Sequence, residues 1–160
     1  MRATTTQPII EVGNIKNLDI VEINCHCRQN EILDIGCGQE MLNRVDLDKF
    51  ISNIVDNVKS EVSVKIRANV IGIDALKIVK MIEYAGADYI HIDAMKKGVF
   101  EADWNLLSEI SSDVDNIKVI GNNSVNSEVN LNKMIQTGVD GFSIARSIIS
   151  GNLDFNIADF

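Results

Sequence analysis

Five polar residues of this sequence stand where short apolar runs end. The runs are Asp19–Asn24, Val62–Lys65, Asp88–His91, Ile117–Asn122 and Gly141–Arg146. Such runs are typical of buried parallel strands, whose carboxyl ends meet at one face of the sheet, where ligands bind. The sequence therefore predicts one pocket around the terminal residues, which are Asn24, Lys65, His91, Asn122 and Arg146.

The charged members of this set indicate what the pocket binds. Lys65 lies within an apolar strand, and because a buried ammonium group is costly without a partner, we expect beside it either a ligand carbonyl or Glu22. Arg146 at a helix start opposes the helix dipole unless an anion binds there, and phosphate is the natural anion. His91 is either a ligand-binding residue or a core histidine with satisfied hydrogen bonds.

All three cysteines lie in the irregular segment between positions 24 and 46. Long loops after strands carry catalytic groups in barrels. A thiol, with an ordinary pKa of about 8.5, is protonated at neutral pH, so Cys27 is a candidate proton donor. The alternatives are a small buried hydrophobe at Cys27 and a zinc site built from Cys25, His26, Cys27 and Cys37. We assign no metal, because the Cys-His-Cys spacing lacks the usual two-residue gap.

Segments of helical period lie between the runs. Apolar residues recur at helical spacing in 47–58, 73–84, 104–110 and 129–135, and a short last helix is indicated at 148–149. Asp46 is the expected N-cap of the first of these helices, and Gly86 and Gly138 are the expected ends of the second and fourth. The βα repeat length fits either a (β/α) barrel or a doubly wound sheet.

Size and charge narrow the class of protein. The 160 residues suit a single domain over 1–160, and the net charge is −8. The longest cationic cluster, Lys96-Lys97, is expected in a solvated loop, so extensive nucleic-acid binding by this chain alone is not expected. No run reaches the ~20 apolar residues of a membrane span, and the start lacks a secretory pattern. We expect a cytoplasmic protein without membrane contact.

Several motifs resemble those of the dihydrouridine synthases. Val21-Glu-Ile-Asn-Cys-His-Cys27 is similar to the family segment Val-Glu-Ile-Asn-x-Gly-Cys-Pro, and Gly38 with Met41-Leu42 keeps its register. The remaining matches, in family order and spacing up to about Gly151, are Val64-Lys-Ile-Arg67, Ile90-His91, Val119-Ile-Gly-Asn122 and Ile144-Ala-Arg146. As a whole, the sequence resembles short archaeal-type barrel proteins related to the dihydrouridine synthases. These proteins belong to a superfamily of FMN-binding barrels that includes the dihydroorotate dehydrogenases.

The resemblance implies an FMN-binding α/β protein of TIM-barrel type. It assigns Cys27 as the general acid and Asn24 to the substrate. It places Lys65 and His91 at the flavin ring. It assigns the flavin phosphate to Asn122, Ala145 and Arg146.

The sequence also departs from the family pattern. His26 replaces Gly, Arg28 replaces Pro, Glu31 replaces a basic residue and Asp93 replaces Arg. Asn123-Ser124 stands for Gly-Asp, and Ala145 stands for a phosphate-loop Gly. The family's first three βα units and its carboxy-terminal tRNA-binding domain have no counterpart. Since five strands cannot close an eight-stranded barrel, we predict a partial barrel of about five βα units. Either the sequence is part of a longer chain, or another copy or a partner subunit covers the open edges.

The function predicted from the sequence is that of an FMN-dependent oxidoreductase of dihydrouridine-synthase type. It would reduce or oxidise a pyrimidine-like ring, and a small-molecule substrate is favoured over tRNA. The alternatives are a non-catalytic partial barrel that binds a phosphate-bearing ligand or a partner subunit, and a metal-binding regulatory domain.

Overall fold

The computed structural model describes residues 1–96, 98–99 and 101–156. It contains a five-stranded parallel sheet in the order β1-β2-β3-β4-β5. The strands are Ile20–Cys25 (β1), Glu61–Arg67 (β2), Tyr89–Asp93 (β3), Lys118–Asn122 (β4) and Gly141–Ser143 (β5). Because each strand pairs with the next one in sequence, the sheet has no point of reversal and is not doubly wound. It is a sector of a (β/α) barrel, which confirms the predicted partial barrel.

Helices connect the strands. They are Gln7–Gly13 (α1), Asn30–Leu33 (α2), Leu47–Val55 (α3), Ala75–Tyr84 (α4), Trp104–Asp113 (α5), Glu128–Gln136 (α6) and Arg146–Ile149 (α7), with a 3-10 helix at Gly38–Asn43. The crossovers containing α3 to α6 join neighbouring parallel strands, and right-handed crossovers place their helices on one face of the sheet. No helix among the described residues has the length and apolar character needed to cross a bilayer.

An aliphatic core lies between these helices and the sheet. Alternate strand residues such as Ile23, Val64 and Ile92 are at most 2% exposed, and they form one cluster with Ile54 and Leu107 from the helices. Side chains of a strand alternate between its two faces, so the residues between these point away from the helices. That opposite face, the inner face, carries the polar residues.

The strand ends differ from the sequence prediction at four places, the first being β1, which ends at Cys25, one residue past Asn24. β2 continues past Lys65 to Arg67, and β3 continues past His91 to Asp93, whereas β5 stops at Ser143. The charged residues there were interpreted as the ends of apolar runs. In the structure Lys65 and His91 lie 3.3 Å apart on neighbouring strands, so β2 and β3 can continue through them, whereas Arg146 lies in α7.

The helix ends test the predicted caps. Gly86 and Gly138 follow α4 and α6 with φ of +88° and +81°, as predicted for helix ends. Asp46 is the N-cap residue of α3, as predicted, but its carboxylate makes no cap bond and instead accepts from Arg44 at 2.9 and 3.0 Å. The helix α1 was not predicted; its Ile9 is fully buried.

Two aspartates at strand starts have a structural role. The carboxylate of Asp88, just before β3, accepts from the Val62 amide of β2 at 2.8 Å, and that of Asp140, just before β5, accepts from the Val119 amide of β4 at 2.7 Å. In both pairs the aspartate's own amide donates to the partner's carbonyl at 2.9 Å. The same exchange of hydrogen bonds therefore occurs before β3 and before β5.

We predict that Asp88→Ala and Asp140→Ala each lower the free energy of unfolding by about 1 to 2 kcal/mol, because each leaves a strand amide without its partner. Asp19 precedes β1 and its side chain is exposed. Its backbone carbonyl accepts a hydrogen bond from the Glu61 amide, and its carboxylate makes no such bond within the described part of the chain. Asp19→Ala is therefore the matched control and should change stability by less than about 0.5 kcal/mol. Urea denaturation measures all three, and equal effects would contradict the assignment.

Candidate functional site

The inner face arranges its side chains in three rows, which follow from the strand register. The middle row contains Asn24, Lys65, His91 and Ile120, which are neighbours on successive strands. The lower row, two residues earlier, contains Glu22, Ser63, Tyr89 and Lys118. The upper row, at the carboxyl ends, contains Arg67, Asp93, Asn122 and Ser143. The predicted residues Lys65 and His91 therefore lie one row below the strand ends.

His91 joins the rows through both ring nitrogens. Its Nδ1 lies 2.8 Å from Oε2 of Glu22, and its Nε2 lies 2.8 Å from Oγ of Ser143 and 3.3 Å from Nζ of Lys65. Since an ionised carboxylate only accepts hydrogen bonds, Nδ1 is the donor and Nε2 accepts. His91 is 8% exposed, and both of its ring nitrogens have hydrogen-bond partners within the protein. Its role in ligand binding stays a prediction.

Glu22 remains ionised in this position. Burial alone would raise its pKa, but hydrogen bonds from His91 and Ser63 and the charges of His91 and Lys65 hold the pKa of Glu22 below its ordinary value. Glu22 was considered from the sequence as the ion-pair partner of Lys65. It bonds instead to His91 and to the Ser63 hydroxyl at 3.1 Å, and Lys65 contacts the far side of the same imidazole.

In the upper row, the Asp93 carboxylate is surrounded by donors. Its Oδ2 accepts from Nε2 of His26 at 2.5 Å and from Nη2 of Arg67 at 2.9 Å. Its Oδ1 accepts from the Met95 amide at 3.1 Å and, with the Asn123 amide oriented to place nitrogen towards it, from Asn123 at 2.8 Å. Burial would raise the pKa of Asp93, but these bonds and the nearby charges lower it, so the carboxylate is ionised at neutral pH.

The loop after β1 brings His26 to this row. The side-chain oxygen of Asn24 accepts from the amides of His26 and Cys27 at 3.2 and 3.0 Å, which turns the chain directly after the strand. Gly38 then passes close to this turn with φ of +61°, and a Cβ there would lie 2.3 Å from the Cys27 carbonyl oxygen. Glycine is required at position 38 because both the backbone conformation and the close approach exclude a side chain.

Two departures from the dihydrouridine synthase pattern thus contact each other. His26 stands for a glycine and Asp93 for an arginine, and the structure joins their side chains in a hydrogen bond. Sequence reasoning recorded both departures but not their pairing, because the residues are 67 positions apart. It also left Arg67 without a role, although Arg67 ends the quoted motif Val-Lys-Ile-Arg. Ser143 carried no signal in the sequence.

A cavity of about 520 Å³ opens at the carboxyl ends of β3, β4 and β5. Of the predicted site residues, Asn122, Ala145 and Arg146 line it. Asn24, Cys27, Lys65 and His91 do not. Its wall also contains His26, Arg67, Asp93 and the Asn123–Asn126 turn.

This cavity contains polar atoms without protein partners. Ser124 Oγ and Arg67 Nε are buried and make no hydrogen bond among the described residues, and Arg146 is exposed without an ion pair there. The turn holds Asn123 and Ser124 at φ of +86° and +63°. Non-glycine residues in this conformation are uncommon and cluster at functional sites. Ala145, by contrast, has φ of −129°, so alanine is not strained there.

A second cavity of about 680 Å³ adjoins the first. Four cationic side chains line it, which are Arg28, Arg67, Lys96 and Arg146, and the only carboxylate in its described lining is Asp93. Lys96 lines this cavity from the loop after β3, and Lys97 lies outside the described residues. In a chain of net charge −8, this grouping favours an anionic ligand.

The cysteines occupy different environments. Cys25 and Cys37 are buried and Cys27 is half-buried, and all three are free thiols. Burial raises the pKa of Cys25 to about 12, so it is a neutral thiol. Among the described residues, no group of three or more His, Cys, Asp or Glu side chains could hold a metal ion. The role of Cys27 as proton donor stays a prediction.

The histidine contacts predict opposite tautomers. The chain contains only His26 and His91, so His26→Gln assigns both in ¹⁵N NMR spectra. We expect neutral His91 with its proton on Nδ1, the less common tautomer, and neutral His26 with its proton on Nε2, facing Asp93. Glu22→Gln should release the Nδ1 tautomer of His91 and leave His26 unchanged. An Nε2-protonated His91 in the unaltered protein would contradict the contact with Glu22.

The lowered pKa of Asp93 predicts acid sensitivity. The stabilising contribution of the carboxylate is complete above its unfolded pKa of about 3.9 and is lost as pH falls through the lower folded value. Urea denaturation between about pH 5 and 2 should therefore show a steeper loss of stability for the unaltered protein than for Asp93→Asn. Asp19→Asn, at an exposed position, serves as control and should keep the original slope. Equal slopes for both variants would contradict the prediction.

The chain and its fold have counterparts among known proteins. The family model of the dihydrouridine synthases (Dus) matches residues 4–151. A Methanocaldococcus jannaschii protein described as uncharacterized is 34% identical over 144 residues, which cover 88% of this chain and 54% of that protein. The chain thus spans about half the length of this relative.

Solved structures with the same fold are distant in sequence. The N-acetylmannosamine-6-phosphate 2-epimerase of Clostridium perfringens superposes with a TM-score of 0.58 at 15% identity, over 89% of this chain and 54% of that one. A dihydrodipicolinate synthase gives 0.62 at 13% identity, over 91% and 51%. These likenesses concern the fold alone. The family model covers nearly the whole described chain, and by that match the chain belongs to the dihydrouridine synthase family.

Proposed function

We propose that this chain is the flavin-binding part of an FMN-dependent oxidoreductase of dihydrouridine-synthase type. The observation that carries the proposal is the joint placement of Asn122, Ala145 and Arg146 on the first cavity. These residues come from two separate motifs of the family pattern. Their meeting in one cavity at the strand ends is the arrangement that a shared ligand requires.

The residues present fit a phosphate-bearing flavin. The cavity volume lies within the range of about 300 to 1,000 Å³ found for cofactor sites. Ser124 Oγ and Arg67 Nε are buried donors that lack partners, and a bound anionic group would satisfy such atoms. Arg146 would hold the phosphate, with Asn122 and the Ser124 hydroxyl beside it. Bound FMN supplies hydride transfer to or from the substrate ring.

The other predicted residues support this site from the inner face and the loop. Lys65 and His91 lie in the row beneath the cavity, where a flavin ring would cover the inner face. Asn24 would fix the loop after β1, because its oxygen accepts from two loop amides. That loop carries Cys27 at the family's proton-donor position. In this proposal the loop residues hold and transfer the proton that accompanies the hydride.

The substrate would be a pyrimidine ring that carries a phosphate. The family name specifies dihydrouridine, and the four cations of the second cavity suit a nucleotide phosphate. A small nucleotide fits the predicted small-molecule substrate, and tRNA would present the same chemistry within a polymer. Cytoplasmic localisation remains part of the proposal.

A non-catalytic role is the second candidate. It is favoured by the free outer edge of β5, with which no described strand pairs. A second copy or a partner subunit that supplies strands would then cover this edge. Such a protein would bind a phosphate-bearing ligand without turning over a substrate.

Titration with FMN and with riboflavin tests the proposal. The unaltered protein should bind FMN with the absorbance of a bound flavin, and Arg146→Ala should weaken FMN binding by about ten- to a hundredfold, because a charge-assisted phosphate contact is lost. Riboflavin lacks the phosphate, so its affinity should be the same for both proteins. Lys16→Ala, before β1 at the opposite end of the sheet, is the charge-matched control.

The outcomes separate the candidates. Reoxidation of protein-bound reduced FMN by UMP or by an unmodified tRNA transcript would support the oxidoreductase. A protein that binds neither flavin would contradict it. Binding of FMN without reoxidation by either probe would favour the non-catalytic role.

A further inference from the structure

The His26–Asp93–Arg67 cluster has the arrangement of an acid–base site. His26 lines the first cavity with its side chain 22% exposed, whereas the Asp93 side chain behind it is 4% exposed and that of Arg67 is 15% exposed. The exposed member is therefore the one that can exchange protons, and the two permanent charges lie beneath it.

The ring of His26 has one nitrogen in use and one free. Nε2 lies 2.5 Å from Oδ2 of Asp93 and 2.9 Å from Nη2 of Arg67, while Nδ1 has no hydrogen-bond partner among the described residues. A carboxylate on one ring nitrogen fixes the tautomer and orientation, so that the other nitrogen can give or take a proton. Cys27, the next residue, lines neither of the two cavities, and no described group bonds to its sulfur.

We propose that His26, positioned by Asp93 and Arg67, is the proton-transfer residue of this site in place of Cys27. The inference rests on the proposed function. It assigns the general acid to His26, an imidazole on the cavity wall, and not to the half-buried thiol of Cys27, which is the next residue of the same loop. Asp93 and Arg67 are positioning residues, because they act through His26.

The charges of the cluster balance in both states of the histidine. When His26 is neutral, Arg67 compensates Asp93. When His26 is protonated, the same carboxylate faces both cations across distances of 2.5 and 2.9 Å. The buried carboxylate therefore always has a compensating charge, and the ring can change its protonation without leaving Asp93 unpaired.

Reduction of a pyrimidine double bond at this site uses one proton and one hydride. The N–H bond at Nδ1 of protonated His26 breaks, and a C–H bond forms at one carbon of the double bond. The hydride supplied by reduced FMN forms the C–H bond at the other carbon. The ring is reduced, the flavin is oxidised, and neutral His26 takes its next proton from solvent at the open cavity.

Stopped-flow oxidation of protein-bound reduced FMN tests this assignment, with UMP and an unmodified tRNA transcript as probes. His26→Gln keeps a polar side chain without a transferable proton and should slow flavin oxidation by about a hundredfold or more. Cys27→Ala should slow it by less than about tenfold. The rate with the unaltered protein should fall in D₂O, and this solvent effect should change in Asp93→Asn, which a purely structural role would not produce. FMN titration checks that each variant retains the cofactor.

NMR of the unliganded protein supplies a readout without turnover. The hydrogen bond to Asp93 should give a downfield, slowly exchanging proton on Nε2 of His26, lost in Asp93→Asn and retained in Cys27→Ala. Its absence from the unaltered protein overturns the inference. So does full-rate flavin oxidation by His26→Gln combined with an inactive Cys27→Ala, an outcome that leaves the proposed function standing. Failure of the unaltered protein to bind FMN, or to oxidise it with either probe, overturns both.

Discussion

The buried carboxylate of Asp93 must be compensated where it stands, and this requirement holds the site together. Asp93 is 3% exposed at the end of β3, and a carboxylate so placed is strongly unfavourable unless charge and hydrogen bonds surround it. Its donors come from the loop after β1, from the end of β2, from its own loop and from the turn after β4. One side chain therefore fixes the relative positions of four segments that line the first cavity.

The rows of the inner face explain what the sequence could predict. Apolar residues of the strands and helices follow periods of two and 3.6, and these periods are visible locally, so the order and approximate bounds of β1 to β5 and α3 to α6 were predictable. The period also puts Lys65 and His91 on one face. It cannot show that β2 and β3 continue for two residues beyond them, because that depends on the partners of Arg67 and Asp93 across the sheet.

Charge illustrates the same limit. The chain is acidic and its cations are scattered, which argued against a polyanion site. In the structure Arg28, Arg67, Lys96 and Arg146 come from four separate segments and line one cavity. Parallel strands bring distant loops to one edge of the sheet, so a local cationic surface requires no cluster in the sequence. The pairing of His26 with Asp93 was hidden for the same reason, although each residue was recognisable as a departure from the family pattern.

Complete barrels fill their interior with layers of mostly branched apolar side chains. The inner face here is polar instead, and its groups satisfy one another within the sector. Glu22, Ser63, Lys65, His91 and Ser143 form one connected set, and His26, Arg67, Asp93 and Asn123 form another. Apart from Arg67 Nε, which makes no hydrogen bond among the described residues, the members of these two sets have partners without additional strands. The charges of Glu22 and Asp93 are already compensated within the sector. A protein surface that covered the sector would therefore have to be complementary to the two cavities and to the edge of the sheet.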